Sequence, residues 1–271
     1  MSGLVQKIVL LTLGWEDLPK SISVYGSPPE QRLMEPTPGI LVQLGDRSWV
    51  MLDTGFNVAL VRDPALYERF YPDPAYKPVL PSDSGEPILD ALAAVGVALE
   101  DISAVAVSHL HHDHAGGIKL FAGRVPIHVQ RPEFEYGMSN HPQPEREATA
   151  RIDFDDPRID WRLADGEFEI APGLTAIPTY GHTVGHQSFM VELDPSVGGG
   201  GYVFAFDAAD LTENIEKEVP LGGFVGDDPE ITLPAIRKLK ALAAERGYRL
   251  VPGHDPDVWP VLTAELEGRF G

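Results

Sequence analysis

Short apolar runs recur along this chain and predict a set of β-strands. They are rich in valine, isoleucine, leucine and phenylalanine and have the length that strands usually have. After a first run at 8–13, they lie at 39–44, 49–52, 102–108, 127–130, 174–178, 189–193, 202–206 and 249–251. The glycine tract at 198–201 falls between two of these runs and predicts a turn.

Two other stretches show the apolar spacing of helices. One covers 88–95, and the clearer one covers 229–246, where apolar residues recur every three to four positions. Asp227 or Asp228 would cap the start of the longer helix, and Gly247 would end it. Strands mixed with few helices predict an α/β protein, although periodicity alone leaves the sheet topology open.

Two stretches are rich in proline: 63–87 is predicted to be a long, partly irregular excursion, and 131–157 is predicted to be irregular. The first contains several tyrosines and a phenylalanine, which either line an acyl-binding cleft or belong to the ordinary core. No internal repeat and no obvious linker divides the chain. We therefore expect a single domain over residues 1–271.

The charge balance narrows the classes of partner. The 271 residues include 41 acidic and 21 basic ones, so the formal net charge is −20. Such a surface repels phosphate backbones, which argues against nucleic acid as a partner. No run approaches the roughly 20 apolar residues of a membrane helix, and the first run precedes Glu16 and Asp17 without a cleavage site of small residues. We expect a soluble cytoplasmic protein, monomeric or homodimeric, without a membrane partner.

The segment 108–117, with the sequence SHLHHDHAGG, is the most informative in the chain. It follows an apolar run, so its histidines emerge from the end of a buried strand, and its glycine pair allows a sharp turn. The chain has no cysteine, which excludes thiolate ligands and cysteine nucleophiles. Four side chains nevertheless form a donor set suited to Zn²⁺ or a similar divalent ion. They are His109, His111, Asp113 and His114. His112 interrupts the spacing and is interpreted as a supporting or surface group.

Three further polar residues each stand just after an apolar run, namely His182, Asp207 and His254. Strand ends converge on one rim of a sheet, where α/β proteins usually place their sites. Together with the first motif they make seven ligands, which is too many for one tetrahedral zinc ion. Two divalent cations bridged by Asp207 account for all of them. We predict zinc, with iron, cobalt or manganese as alternatives.

Other polar residues near these runs are expected to have supporting roles. Asp53 ends the run 49–52 and is either an eighth ligand or a carboxylate that orients a metal-bound imidazole. His186 is expected to support the site from behind. His128, in a strand pattern, and His141, in a proline-rich loop, are interpreted as structural.

These residues together resemble the metallo-β-lactamase superfamily over residues 40–255. The resemblance is carried by the motif from His109 to His114, the Asp53 turn, Gly181-His182-Thr183, Asp207 and Gly253-His254. It implies an α/β fold, an αββα sandwich of two mixed β-sheets flanked by helices, with the site at one edge. It also divides the ligands between two cations, with His109, His111 and His182 on one, Asp113, His114 and His254 on the other, and Asp207 bridging them.

Within the superfamily the chain looks most like the N-acyl homoserine lactonases. The similar segments are 108–117, 181–188, 206–209 and 212–220. Those lactonases usually carry a tyrosine a few residues after the bridging aspartate, thought to contact the substrate carbonyl. Here Asp210 and Leu211 stand in that place. Either another group polarises the carbonyl, or the substrate differs from an acyl homoserine lactone.

The resemblance and the ligand set together predict hydrolysis of a lactone, a small-molecule substrate. Two cations would lower the pKa of a bridging water toward neutrality, and the resulting hydroxide would attack the carbonyl. Asp113 or Asp210 would protonate the leaving alkoxide.

The same site would also suit a β-lactamase, a thioesterase, a phosphodiesterase or a nuclease. The sequence after Asp207 favours the lactonase, and the negative charge argues against the nuclease. A flavin-linked diiron oxidoreductase would usually replace one histidine of the first motif by a carboxylate. A non-catalytic metal-binding protein would leave an open water position unexplained.

Overall fold

The computed structural model describes residues 4–140, 148–223, 225 and 228–270. The strands are β1 Lys7–Pro19, β2 Arg32–Gln43, β3 Trp49–Leu52, β4 Lys77–Val79, β5 Ile102–Ala106, β6 Pro126–Gln130, β7 Asp160–Ala164, β8 Phe168–Ala171, β9 Leu174–Pro178, β10 Gln187–Glu192, β11 Gly201–Phe204 and β12 Arg249–Val251. The helices are α1 Lys20–Ser23, α2 Val58–Arg62, α3 Pro64–Phe70, α4 Pro87–Ala94, α5 His112–Ala115, α6 Arg131–Met138, α7 Thr212–Lys217, α8 Leu233–Arg246 and α9 Val258–Phe270. Short 3₁₀ turns lie at Leu99–Asp101, Ile118–Phe121, Arg151–Asp153, Pro195–Val197, Phe206–Ala208 and Pro229–Thr232.

The strands form two mixed sheets. The larger has the order β4-β1-β2-β3-β5-β6-β7 and the smaller the order β12-β11-β10-β9-β8. In the larger sheet β1, β2, β3 and β4 pair antiparallel, while β3, β5, β6 and β7 are parallel. In the smaller sheet only β11 and β12 pair in parallel. Both sheets therefore place several carboxyl strand ends at one edge.

Alternating side chains of the strands divide the apolar residues between two sides of each sheet. Ile40 and Val50 point toward the second sheet and share one core cluster with Phe189. On the opposite side of the first sheet, Leu41 packs in a cluster with Ile88 of α4. The outer side of the second sheet packs on α8 through an equivalent cluster. The layers follow the order helix, sheet, sheet, helix, which is the predicted αββα sandwich.

Every apolar run singled out in the sequence contributes to a strand. The first is longer than predicted, because β1 continues through polar residues to Pro19 and pairs along its length with β2. The predicted helix at 229–246 begins with the 3₁₀ turn, which the Asp228 side chain caps at the Glu230 N–H. It ends at Gly247 in the left-handed conformation, as predicted. Asp227 and His141 lie outside the described residues.

The prediction of irregular structure at 131–157 is wrong over its first third, where α6 forms. Proline stands at the second position of this helix, where no intrahelical N–H bond is required, so it starts the helix and does not break it. The other proline-rich stretch, 63–87, contains α3 and the short strand β4. Among the residues described, no helix is long and apolar enough to span a bilayer.

Candidate metal centre

The segment 108–117 leaves the end of β5 and turns at once into α5, whose N-cap is His111. Two glycines let this turn lie directly against a neighbouring loop. A Cβ on Gly116 would stand 2.1 Å from the backbone nitrogen of Asn57, and one on Gly117 would stand 2.5 Å from the carbonyl oxygen of Thr54. The glycine pair is therefore required for close packing as well as for the turn.

The other predicted ligands lie in loops that follow strands of the second sheet. His182 lies between β9 and β10, Asp207 follows β11, and His254 follows β12. Because β11 and β12 run in parallel, their carboxyl ends open on the same edge. All seven side chains predicted as ligands are buried. The structure brings them into two adjoining groups that share Asp207.

The first ligand set consists of His109, His111, His182 and Asp207, whose donor atoms lie within 4.8 Å of one another. His182 Nε2 is 2.9 Å from His111 Nδ1. Asp207 Oδ2 is 3.3 Å from His182 Nε2 and 3.8 Å from His109 Nε2. Four ligands placed tetrahedrally about 2.0–2.1 Å from a zinc ion would lie roughly 3.3 Å apart. The spacing of the set matches that requirement.

The second ligand set consists of Asp113, His114, His254 and again Asp207. Here the other oxygen of the shared carboxylate takes part, because Asp207 Oδ1 is 3.0 Å from His254 Nε2 and 3.1 Å from His114 Nε2. Asp113 Oδ2 lies 2.8 Å from His114 Nε2. Asp207 thus directs one oxygen to each set, which is the arrangement of a carboxylate that bridges two cations.

The electrostatics of the cluster suit cations. Burial, reinforced by His114, lowers the pKa of His109 well below its usual value, so its imidazole is a neutral donor. Burial alone would also lower the pKa of His114, but Asp113, Asp207 and Asp53 hold it well above the usual value. Within the described part of the chain, Nε2 of His109 is buried without a hydrogen-bond partner, and Nε2 of His114 faces the carboxylates of Asp113 and Asp207. Two divalent cations would satisfy these nitrogens, and the residues therefore fit a dinuclear centre.

Hydrogen bonds to the ring nitrogens that point away from the centre hold His114 and His254 in place. Asp53 belongs to neither ligand set, and its Oδ2 lies 2.7 Å from His114 Nδ1. It also accepts hydrogen bonds from the Ser108 N–H and hydroxyl, each at 2.6 Å. His254 Nδ1 donates to the carbonyl oxygen of Pro36 at 3.0 Å, which leaves Nε2 for the centre. Of the two sequence-based interpretations of Asp53, the structure favours the orienting carboxylate.

The three remaining histidines that the structure describes lie outside the ligand sets. His186 is buried behind the centre, with its ring 5.1 Å from that of His109 and its Nδ1 2.8 Å from the Thr179 hydroxyl. His112 is buried beside the ring of Tyr71, so its interpretation as a surface group is wrong. His128 stacks on a phenylalanine in β8 and has no part in the site.

A pocket opens onto both ligand sets and contains acidic residues that the sequence analysis missed. Glu16 and Glu35 stand opposite each other in the pairing of β1 with β2. Burial raises the pKa of Glu16 to about 8 and that of Glu35 to about 7. The Tyr76 hydroxyl donates to Glu16, and the Ser23 hydroxyl donates to Glu35 at 2.7 Å. Both glutamates lie in polar stretches of long strands, so only the cross-strand pairing brings them to the site.

Asp210 occupies the same pocket, close to Asp207. Its Oδ1 atom is buried and accepts no hydrogen bond from any residue that the structure describes. Its backbone carbonyl accepts the N–H of His254 at 2.8 Å, which holds the two loops together. Burial, reinforced by Asp207, raises the pKa of Asp210 well above its usual value. A carboxyl group whose pKa is raised by burial therefore faces the space in front of the ligands.

The fold and this cluster define a class, the metal-dependent hydrolases built on an αββα sandwich. The chain belongs to the metallo-beta-lactamase superfamily, whose family model matches residues 35–254. The predicted fold and the predicted hydrolase class are thereby confirmed.

Curated relatives lie in one branch of this superfamily. The chain is 31% identical over 206 residues to the N-acyl homoserine lactonase of Bacillus thuringiensis, covering 76% of each protein. It is 34% identical over 219 residues to the N-acyl homoserine lactonase AttM of Azorhizobium caulinodans, covering 78% of each. The predicted resemblance to the lactonase branch is confirmed.

Solved structures agree with these relatives. A variant of the B. thuringiensis lactonase AiiA with N-decanoyl-L-homoserine at its active site superimposes with a TM-score of 0.82 and 28% identity. It covers 95% of this chain and 96% of that one. An N-acyl homoserine lactone hydrolase with N-hexanoyl-L-homoserine at its catalytic metal centre gives a TM-score of 0.81, 28% identity and the same coverage.

Proposed function

We propose that this chain hydrolyses the ring ester of N-acyl homoserine lactones at a centre of two divalent cations. The ligands would be His109, His111, Asp113, His114, His182, Asp207 and His254. The observation that carries the proposal is the Asp207 carboxylate, which directs Oδ2 to one histidine set and Oδ1 to the other. The activity of the curated relatives and the products bound in similar structures support the choice of substrate.

The donor set favours zinc, because it combines imidazole nitrogens with carboxylates and lacks thiolates. Iron, cobalt and manganese accept the same ligands and are the alternatives. When bound, the cation pair supplies a water of lowered pKa and polarises the ester carbonyl. The residues of the chain have the separate tasks of holding the cations, positioning the ring and moving a proton.

Asp210 is the better of the two candidate acids. Burial alone would raise the pKa of Asp113, but its neighbour His114 lowers it below the usual value, so this carboxylate is a ligand and a poor proton donor. Burial raises the pKa of Asp210, which favours a proton on this carboxyl group, and the residue lines the pocket with an unpartnered Oδ1 among the described residues. We propose that it donates this proton to the ring oxygen as the ester bond breaks, or to the carbonyl oxygen in place of the tyrosine of the relatives.

An apolar part of the pocket wall suits the acyl chain of such a substrate. Leu18 and Ile22 line it beside the Tyr76 ring. Of the other aromatic residues of the 63–87 stretch, Phe70 and Tyr71 are buried in a core cluster with Leu18, and Tyr67 packs against it while partly buried. We propose that Leu18 and Ile22 contact the acyl chain while Phe70 and Tyr71 support the wall from behind.

The test compares metal content with turnover on a panel of substrates. Metal-assayed protein is tested by pH indicator on acyl homoserine lactones, simple γ- and δ-lactones, a β-lactam, a thioester and a phosphodiester. We expect acid release from the acyl homoserine lactones to exceed that from every other compound. A higher kcat/KM for any other compound of the panel, the simple lactones included, would contradict the proposed substrate.

Two ligand variants test the centre. His111→Ala and Asp207→Asn each remove a donor from the first ligand set, and the second change also affects the other set. We expect both to lose bound metal and activity together, because the hydrolysis requires the loaded centre. His128→Ala is the matched control, since this histidine stacks on Phe168 outside the site. Full activity with unchanged metal in either ligand variant would refute the assignment.

A further inference from the structure

We infer that Glu133 is a positioning residue of the first ligand set, joining the two loops that carry its three histidines. The residue lies in α6, within the stretch that the sequence pattern left as irregular. It is 3% exposed, and among the described residues its carboxylate accepts from two loop N–H groups and the Thr183 hydroxyl and from no proposed ligand side chain. Its effect on the ligands therefore passes through the loops that carry them. The inference rests on the proposed metal centre and is independent of the substrate.

One carboxylate binds both loops. Glu133 Oε1 accepts the N–H of Leu110 at 3.0 Å, at the residue between His109 and His111. Its Oε2 accepts the Thr183 hydroxyl at 2.7 Å and the Gly185 N–H at 2.9 Å, in the loop that carries His182. The bonded residues lie next to the three histidines of the first set, or at most three positions away. One side chain therefore links all three histidines through their loops.

Close packing against α6 reinforces these bonds. A Cβ on Gly185 would lie 2.3 Å from the backbone nitrogen of Glu133, so the His182 loop rests directly on the helix. Gly137 stands one turn further along the same helix face. A Cβ there would lie 2.6 Å from Leu110 Cδ1, so the first loop rests on the helix as well. Two glycines thus allow both loops to approach α6, and Glu133 binds them where they meet.

The hydrogen bonds of Glu133 require a side chain in which both oxygens accept. All three partners of Glu133 donate, and each oxygen accepts at least one hydrogen bond. A glutamine offers one accepting oxygen, and its NH₂ group would face a buried N–H or hydroxyl donor. Because an unsatisfied buried donor is unfavourable, one of the two loops would shift away from the helix.

The effect should be confined to the first ligand set. In the second set, His114 is held by Asp53 and His254 by the carbonyl of Pro36. Neither contact involves Glu133 or α6. A change at Glu133 should therefore weaken metal binding at the first ligand set alone. A general loss of folding would weaken metal binding at both sets.

The experiment compares Glu133→Gln with Glu135→Gln, the same change at an exposed position of the same helix. Zn²⁺ is titrated into the metal-free full-length protein in competition with a chromophoric chelator. We expect Glu133→Gln to weaken one of two sites by roughly tenfold or more, the range of changes behind metal ligands, and to leave the other unchanged. Glu135→Gln should match the wild type at both sites.

Melting temperatures separate positioning from a purely structural role. Metal that binds only the folded state raises the melting temperature by an amount that grows with the logarithm of the ratio of free metal to Kd. We therefore expect Glu133→Gln to lower the melting temperature more with zinc than without it. Equal losses with and without zinc, together with two unchanged affinities, would overturn the inference.

Thr183→Val provides a second variant if Glu133→Gln does not fold. It removes one donor to Glu133 Oε2 and keeps the side-chain volume. We expect a smaller weakening at the same single site, and equal weakening at both sites would overturn the inference. A wild-type protein that binds no zinc would refute the proposed metal centre itself, which distinguishes the two failures.

Discussion

Replacing Asp153 by asparagine should flatten the pH dependence of stability across the neutral range. Asp153 ends the 3₁₀ turn Arg151–Asp153 and is 1% exposed. Its Oδ1 accepts the side-chain N–H of Asn57 at 2.7 Å, while Oδ2 has no hydrogen-bond partner in the described part of the chain. Burial, only partly offset by Asn57 and Lys119, raises the pKa of this carboxyl to about 7.

The sign follows from the direction of the shift. The folded protein holds the proton of Asp153 up to about pH 7, whereas an unfolded chain releases it near the usual 3.8. Its contribution to stability is therefore fully present below the lower pKa and is lost as the pH rises through the higher one. The difference of about three pKa units corresponds to roughly 4 kcal/mol in all. About 2.5 kcal/mol of this falls between pH 5 and pH 7.5.

Urea unfolding of the wild type and Asp153→Asn from pH 5 to pH 8.5 provides the assay. The asparagine keeps an oxygen for Asn57 and carries no charge. We therefore expect the free energy of unfolding of Asp153→Asn, relative to that of the wild type, to increase by about 2.5 kcal/mol from pH 5 to pH 7.5. Asp155→Asn, at an exposed position two residues away, is the control and should follow the wild-type pH dependence. Parallel curves for the wild type and Asp153→Asn would refute the reasoning.

Three further substitutions probe the centre. Asp53→Ala removes the acceptor of His114 Nδ1 and should weaken zinc binding at the second ligand set by about 10- to 100-fold in chelator competition. Asp210→Asn should lower kcat by about 100-fold or more at unchanged metal content, because the amide cannot supply the proton. Gly116→Ala places a Cβ 2.1 Å from the Asn57 nitrogen and should lower the melting temperature by several degrees.

Each of these expectations has a contrary outcome. Unchanged zinc affinity in Asp53→Ala would show that Asp53 is not needed to orient His114. Wild-type kcat in Asp210→Asn, with both metals bound, would exclude it as the proton donor. If Gly116→Ala melts at the wild-type temperature, the 108–117 loop can accommodate a Cβ at this position, and the close packing inferred for Gly116 is wrong.

Local sequence patterns were sufficient to predict the strands and to select the polar residues that the structure brings together as two clusters. The run before His109 forms β5, and the runs before Asp207 and His254 form β11 and β12. A buried strand has to be apolar over several residues, and a ligand placed where it emerges must be polar. This contrast is visible without any knowledge of the partners of the strand.

The glutamates of the pocket do not follow an apolar run, so the contrast between a buried strand and a polar residue at its end does not reveal them. Glu16 stands in the charged part of β1 that the pattern placed outside the first strand. Its position in the site depends on pairing with Glu35, which lies 19 positions along the chain and directly opposite in the register. Strand pairing joins residues of unrelated sequence position, so no local pattern predicts it.

The sequence by itself determined the chemistry that this protein brings to its site. Seven imidazole and carboxylate donors, four of them in one short segment, predict a metal centre whatever the topology. Only the tertiary structure decided which oxygen of Asp207 meets which histidine set. It alone also placed Glu133 between two loops that lie far apart in sequence. Ligand identity is a property of single side chains, whereas the geometry that binds two cations arises when distant loops pack together.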